Sequence, residues 1–323
     1  MEIKVCTSFE FSELDWKTYQ ESFNAAFDKD YQLSYFTQKY ATAIDGHAYH
    51  ALLLNNEGNV VGGCSVIPFQ YKKGEEIIKL GQAVDVFILE AYRTDPMMLY
   101  KMYLQLKKLL IHNEIGLVLS VPNTNAYAYW KHIVKWKDVG NLTYWMIIIR
   151  AGNVIKKWSF LNIFSLAFSY LLLFFNAIMA LIANNKEKQS VYELITDDAF
   201  CKNRFSPEHK KVMTGEIIFY YRIYDESGVK TAYLLDAKQK DRLSFKALFK
   251  GVSYIVRKTD ADIVLYVGPM KLFQTLLIKV PKRFEPKRLP LTCDIINKDC
   301  TDMFSDIWEF NNWNFGLLNF DVR

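Results

Sequence analysis

The residues best placed for chemistry lie between Gly81 and Tyr144, where strand, turn, helix and strand follow without interruption. Ala83–Leu89 alternates as a strand, Tyr92-Arg93 marks its exit, and a helix is expected from about Pro96 to His112. The apolar strand Gly116–Val121 and a helix from Asn123 to Val134 complete the series. A strand that feeds a helix through a tight turn can present backbone N–H groups to an anionic ligand. The carboxylate inside the first strand is Asp85, on the face of Phe87 and Leu89. There it suits either proton abstraction or pairing with a Lys or Arg. Glu90 and His132 fit a solvated face better.

Other chemistries leave no trace. Phosphate-loop, nucleophile-elbow and His-Glu-x-x-His patterns are absent. His47 and His50 are spaced by three without a further ligand cluster, so no metal site is expected. The five cysteines, Cys6, Cys64, Cys201, Cys293 and Cys300, are scattered and odd in number. That argues against a disulfide framework and for a reducing cytoplasm. A net charge of +5 over 323 residues suits a phosphate-bearing ligand or an anionic surface but is too small to indicate nucleic acid. The basic run Lys279–Arg288 reads as a Pro-stiffened solvated loop, with anionic lipid or phosphate as the other possibility.

The elements that must position these residues form two halves. At 323 residues, 51% hydrophobic and 23% charged, the chain is ordered and long enough for two domains. In the first, Asp15–Phe27 carries Trp16, Tyr19, Phe23 and Phe27 at helical spacing, and Gln32–Ile44 reads as a short second helix. Tyr49–Leu54 and Val60–Pro68 form a hairpin around Asn55–Gly58, and Thr143–Ile149 is a further strand. The second half repeats the grammar. Strands at Ile217–Tyr224 and Thr231–Asp236 precede a helix at Ser244–Thr259 and a buried-type strand at Ala261–Val267. The aromatic C-terminal run from Trp308 to Arg323 is expected as a closing strand.

Between the halves, Trp158–Asn185 holds no charged residue and is long enough to span a bilayer. Lysines flank both ends, and Asn162, Ser165, Ser169 and Asn176 make one polar stripe. That stripe predicts a helix lying on a membrane surface or packed between domains rather than crossing.

In this order of elements the first half resembles the GNAT superfamily of acyl-CoA-dependent N-acyltransferases. The family's phosphate turn, Arg/Gln-x-x-Gly-x-Gly/Ala, aligns with Arg93-Thr94-Asp95-Pro96-Met97-Met98 after Tyr92. Pro96 and Met98 stand at its two small-residue positions, where Pro removes a donor and Met adds bulk. Asp95 and Pro96 also make an ordinary capped helix start. The second motif, Asn-x-x-Ala-x-x-x-Tyr, is echoed by Asn123 and Ala126, with Trp130 in the tyrosine position and Tyr129 beside it.

The resemblance implies an α/β fold with mixed sheets, as two GNAT-like domains in tandem, 1–150 and 191–323, joined by an apolar linker at 151–190. The Fem-type peptidyl transferases are similar in layout. It further implies acyl transfer from acetyl-CoA or another acyl-CoA to an amine of a small-molecule or sugar-derived acceptor. Asp85 would be the base and Tyr129 the acid. Phe87, Leu89, Arg93, Thr94, Asp95, Met97, Met98 and Asn123 would hold the coenzyme. The other reading is a catalytically inactive scaffold or binding module. Either suits a cytoplasmic protein, peripheral on the inner membrane face if 158–185 touches lipid.

Overall fold

The computed structural model describes residues 1–74, 76–182, 192–240, 242–270 and 276–320. The chain begins β1 (Glu2–Thr7), α1 (Glu13–Phe27), α2 (Leu33–Tyr40), β2 (Tyr49–Leu54), β3 (Val60–Lys73) and β4 (Glu76–Ile88). It continues α3 (Met98–His112), β5 (Leu117–Ser120), α4 (Thr124–Tyr129), β6 (Lys137–Asn141) and β7 (Tyr144–Ile148). Next come α5 (Ala151–Ile155), α6 (Leu161–Ile182), β8 (Tyr192–Leu194), α7 (Asp198–Arg204), β9 (Lys210–Thr214), β10 (Ile217–Glu226) and β11 (Val229–Gln239). The last elements are β12 (Arg242–Leu243), α8 (Phe245–Lys258), β13 (Ile263–Val267), β14 (Ile278–Lys279), β15 (Pro290–Ile295) and β16 (Trp313–Asn314). The aromatic C-terminal run therefore supplies a two-residue strand between short helical turns at Phe310–Asn312 and Leu317–Asn319, and 321–323 lie outside the described residues.

Two compact units result, and they interlace along the chain. The first comprises Met1–Gly140, Leu194–Arg204 and Pro290–Phe310; the second comprises Asn141–Glu193, Phe205–Leu289 and Asn311–Arg323. In the first unit the strand order is β1-β2-β3-β4-β5-β15-β6. β15, from late in the sequence, pairs antiparallel with β5, Thr292 opposite Ser120 and Ile295 opposite Leu117. In the second unit the order is β14-β7-β13-β11-β10-β9, and β7, from the first half of the sequence, lies antiparallel to β13. Each sheet thus contains a strand from the other half of the chain.

Sequence explains the first unit's local choices. Ser12 opens α1 as a capping box with Asp15, and Asp28 closes it in the left-handed conformation. Tyr19 and Phe23 on its inner face meet Phe36 and Phe87 at ring-centroid distances of 5.0–5.7 Å. Gly63 makes room for this cluster, since a Cβ there would sit 2.9 Å from the Phe87 ring and 3.0 Å from Tyr19. α3 buries Met102, Tyr103, Leu106 and Leu110 against Val66, Ala83 and Val118 of the sheet.

The second unit has the same local order: a hairpin (β10–β11), a helix (α8), then β13 parallel to β11 from Thr231/Ile263 to Leu234/Tyr266. α8 is capped by Ser244 and buries Leu248, Val252, Ile255 and Val256. α6 packs on the same core through Leu173 and Ala180.

Candidate functional site

In the first unit, β4 and β5 run parallel but pair only at Gly81/Val118 and Gln82/Leu119. The backbone ladder ends at Gln82, and the Ser120 hydroxyl donates to Ala83 O at 3.2 Å. β4 continues to Ile88 past the end of β5 without pairing to it, which is where the two strands part. Just past this point β4 bulges: Gly63 faces Phe87 and Ser65 faces Val84, leaving Asp85 and Val86 opposite Cys64 alone. Asp85 takes φ +51°, a left-handed conformation that a non-glycine residue holds only when its surroundings fix it.

Those surroundings are polar and buried. Lys39 Nζ lies 2.8 Å from Asp85 Oδ1, and the Tyr40 hydroxyl donates to Oδ2 at 2.8 Å. Both come from the last turn of α2, and the Lys39 and Asp85 side chains are 7% and 6% exposed. The chain of contacts runs on through Tyr40 and Tyr19 hydroxyls (2.6 Å), Tyr19 and Ser65 (3.2 Å), and Ser65 and His50 Nδ1 (2.8 Å). It ends at Ser8, whose Oγ lies 2.8 Å from His50 Nε2 and accepts from the Ala48 amide. Burial, with the Asp85 charge second, holds the Tyr40 and Tyr19 phenols well above their ordinary range. Burial also drives the His50 imidazole down to about 3, with His47 adding to the effect.

The turn from Arg93 to Met98 has its own partners. Asp95 Oδ1 accepts from the Met97 amide at 2.8 Å, Asp95 O accepts from the Met98 amide at 3.0 Å, and Asp95 Oδ2 pairs with Lys101 at 2.7 Å. Tyr129 reaches the same place, its hydroxyl donating to Pro96 O at 2.7 Å and accepting from the Tyr100 amide at 3.2 Å. Burial raises the Tyr129 phenol above its usual value, and the Tyr100 amide opposes that. The start of α3 therefore binds an anion already, the carboxylate of Asp95. A coenzyme pyrophosphate would fit here only in exchange for that side chain, whose ion pair with Lys101 lies at the surface.

The remaining residues expected at the site are placed as follows. Arg93 and Thr94 are exposed, and Arg93 Nε donates to Ile88 O. Phe87 is buried in the aromatic cluster and Leu89 packs with the α3 core. Asn123 caps α4, accepting from the Ala126 amide. Trp130 is a core residue, 5.3 Å from the Tyr103 ring and 4.5 Å from Trp136. Glu90 and His132 are exposed. Tyr129 is thus tied to the turn and Asp85 to α2. Lys39, Tyr40 and Ser65 carried no expected role, and His50 stood out only for its spacing from His47. The one available signal was that α1 and α2 carry tyrosines among their apolar positions.

In the second unit, β11 bulges at Leu235, between the pairs Tyr221/Leu234 and Tyr220/Asp236. Beyond it Asp236 pairs with Lys238 at 3.3 Å, both largely buried. Glu193, raised above the usual carboxylate range by burial, accepts from the Leu243 amide and from Asn314 Nδ2. Among the described residues no group of three or more His, Cys, Asp or Glu side chains is gathered as a metal site.

A parallel strand pair that parts beside a bulge, followed by a helix, on a mixed α/β frame, is a GNAT-type fold. Solved structures agree over 92% or 91% of the chain and 71–73% of theirs. A probable N-acyltransferase from Enterococcus faecalis V583 superposes with a TM-score of 0.58 at 11% identity. GCN5-related N-acetyltransferases from Anabaena variabilis and Kribbella flavida give 0.57 at 14% and 0.59 at 10%. No protein-family profile matches the sequence, and no curated protein does.

Proposed function

We propose that the protein is an acyltransferase of the GNAT type, moving an acyl group from an acyl-CoA to an amine of a small-molecule or sugar-derived acceptor. The observation that carries this is the parting of β4 from β5 directly beside the bulge at Asp85. A parted pair leaves strand-edge amides and carbonyls able to bind a linear acyl thioester, and the bulge sets a carboxylate beside it. Acetyl-CoA or a longer acyl-CoA would supply the activated acyl group. Asp85, held by Lys39 and Tyr40, would take the proton of the acceptor amine. Tyr129 would return one to the departing thiolate once its bond to Pro96 is released. The arrangement of hairpin, helix and parallel strand in both units supports reading them as two GNAT-like domains in tandem, the cytoplasm being the compartment that suits the five free cysteines.

Calorimetry with acetyl-CoA and a series of longer acyl-CoAs tests the reading. Binding weakened about tenfold or more by Arg93→Glu, through loss of one cation near the pyrophosphate, is expected. If no acyl-CoA binds to the wild-type chain, the donor assignment fails and the scaffold alternative takes its place.

A further inference from the structure

α6 is amphipathic the wrong way round for a helix on a water-exposed surface. Its polar stripe faces the protein: Ser169 and Asn176 are fully buried, Ser165 Oγ donates to Ile149 O, and Asn162 Oδ1 accepts from the Gly152 amide. Its outer arc is apolar throughout. Ile163, Phe164, Phe174 and Leu181 are 72%, 67%, 63% and 86% exposed, and Leu171 and Ile178 lie between them. Over the 22 residues of Leu161–Ile182 this makes an uninterrupted apolar strip about 33 Å long. Trp158, 64% exposed, extends it from a left-handed turn at φ +55°, beside Lys156 at φ +56°.

We infer that this strip docks the second unit on the surface of an anionic lipid bilayer, with α6 lying in the plane of the headgroups. Charge selects this occupant. From Val139 to Lys186 the sequence holds no Asp or Glu, and Lys156 and Lys157 precede the helix; Lys186 and Glu187 follow it in the sequence, outside the described residues. Two lysines at the entry of an apolar strip match anionic headgroups, and an indole beside them suits the interface. A second copy of the chain would bring the same cations to either end, whichever way it docked, with no carboxylate in the segment to meet them. Apart from the Tyr170 hydroxyl, the strip also lacks the polar groups that protein interfaces hydrogen-bond. Crossing the bilayer would expose the buried Ser169 and Asn176 to lipid and strip α6 from the core it shares with α8.

The full chain should float with vesicles of phosphatidylcholine plus phosphatidylglycerol and stay with them less at high salt. Lys156→Glu/Lys157→Glu should lower that partition by about fivefold per lysine while leaving residual binding to neutral vesicles. Phe164→Ser/Phe174→Ser, at exposed positions that leave the core intact by circular dichroism, should abolish flotation. The inference is overturned if the wild type stays soluble beside both vesicle types. It is equally overturned if light scattering shows a dimer that the Phe variant splits and vesicles do not displace. Resistance of the vesicle-bound protein to carbonate extraction would mean that α6 spans, and would sink the in-plane placement.

Discussion

Asp85 has two jobs that mutation can separate. It neutralises Lys39 inside the first unit, and in the proposed reaction it takes a proton. Asp85→Leu alone should cost about 3–5 kcal/mol in urea unfolding, because it removes the carboxylate that pairs with a buried ammonium. Adding Lys39→Met should recover most of that loss, since an apolar pair of similar volume tolerates burial. Turnover should stay absent in the rescued double variant; turnover restored along with stability would remove Asp85 from the chemistry. His50 gives a second test at this scale. In the unfolded chain its imidazole takes a proton near pH 6.5, whereas in the folded unit it stays neutral down to about 3. Over that interval the unfolded state binds the extra proton, so stability falls as pH falls, by up to about 1.4 kcal/mol per unit. His50→Asn should flatten the slope between pH 6.5 and 5.5 in a series of urea unfolding curves, above the range where ordinary carboxylates titrate. Asp85 itself was legible in the sequence as an interior carboxylate with two possible uses. Its partner was not, because Lys39 lies 46 residues away and no local pattern joins them.

Elements obey their local signals more closely than the site does. β2 spans Tyr49–Leu54, an apolar run buried on both faces and ended by the polar turn Asn55–Gly58, and α3 starts at Met98, two residues after Pro96. Pro96 and Met98 were visible departures from the phosphate turn; their consequence, an α3 start closed by Asp95 and Tyr129, depends on side-chain geometry that spacing does not encode. Asp95→Ala should therefore open the Met97 amide and free Lys101, tightening acyl-CoA binding several-fold by calorimetry if the donor uses this turn. Unchanged affinity would move the donor elsewhere. The polar stripe of α6 was legible too, but its direction was not, since periodicity marks a face without saying what covers it. Asn176 sits on that stripe with Nδ2 bonded to Leu172 O and Oδ1 buried without a partner. Asn176→Leu should raise stability by about 1 kcal/mol in thermal unfolding, because it removes an unsatisfied acceptor.

At the scale of the molecule, the sequence reading drew two consecutive domains, and the structure interleaves them. Hydrophobic pattern identifies β7 and β15 as strands but carries no record of their partners, which is why the exchange was invisible. A fragment ending at residue 150 lacks β15, leaving β5 and β6 with unpaired edges where it should lie. Such a fragment should be insoluble or bind a hydrophobic dye such as ANS, and co-expression with residues 276–323 should recover folded material. A soluble, cooperatively unfolding 1–150 would show that β15 is dispensable. The exchange also imposes a schedule on biosynthesis. β15 ends at Ile295, so a ribosome must have translated past residue 295 before the first sheet can close. The second sheet has all its strands by Lys279, so it can close first while the N-terminal sheet waits with an open edge. The nascent chain then relies on slow elongation or a holding chaperone where a beads-on-a-string protein would fold one bead at a time.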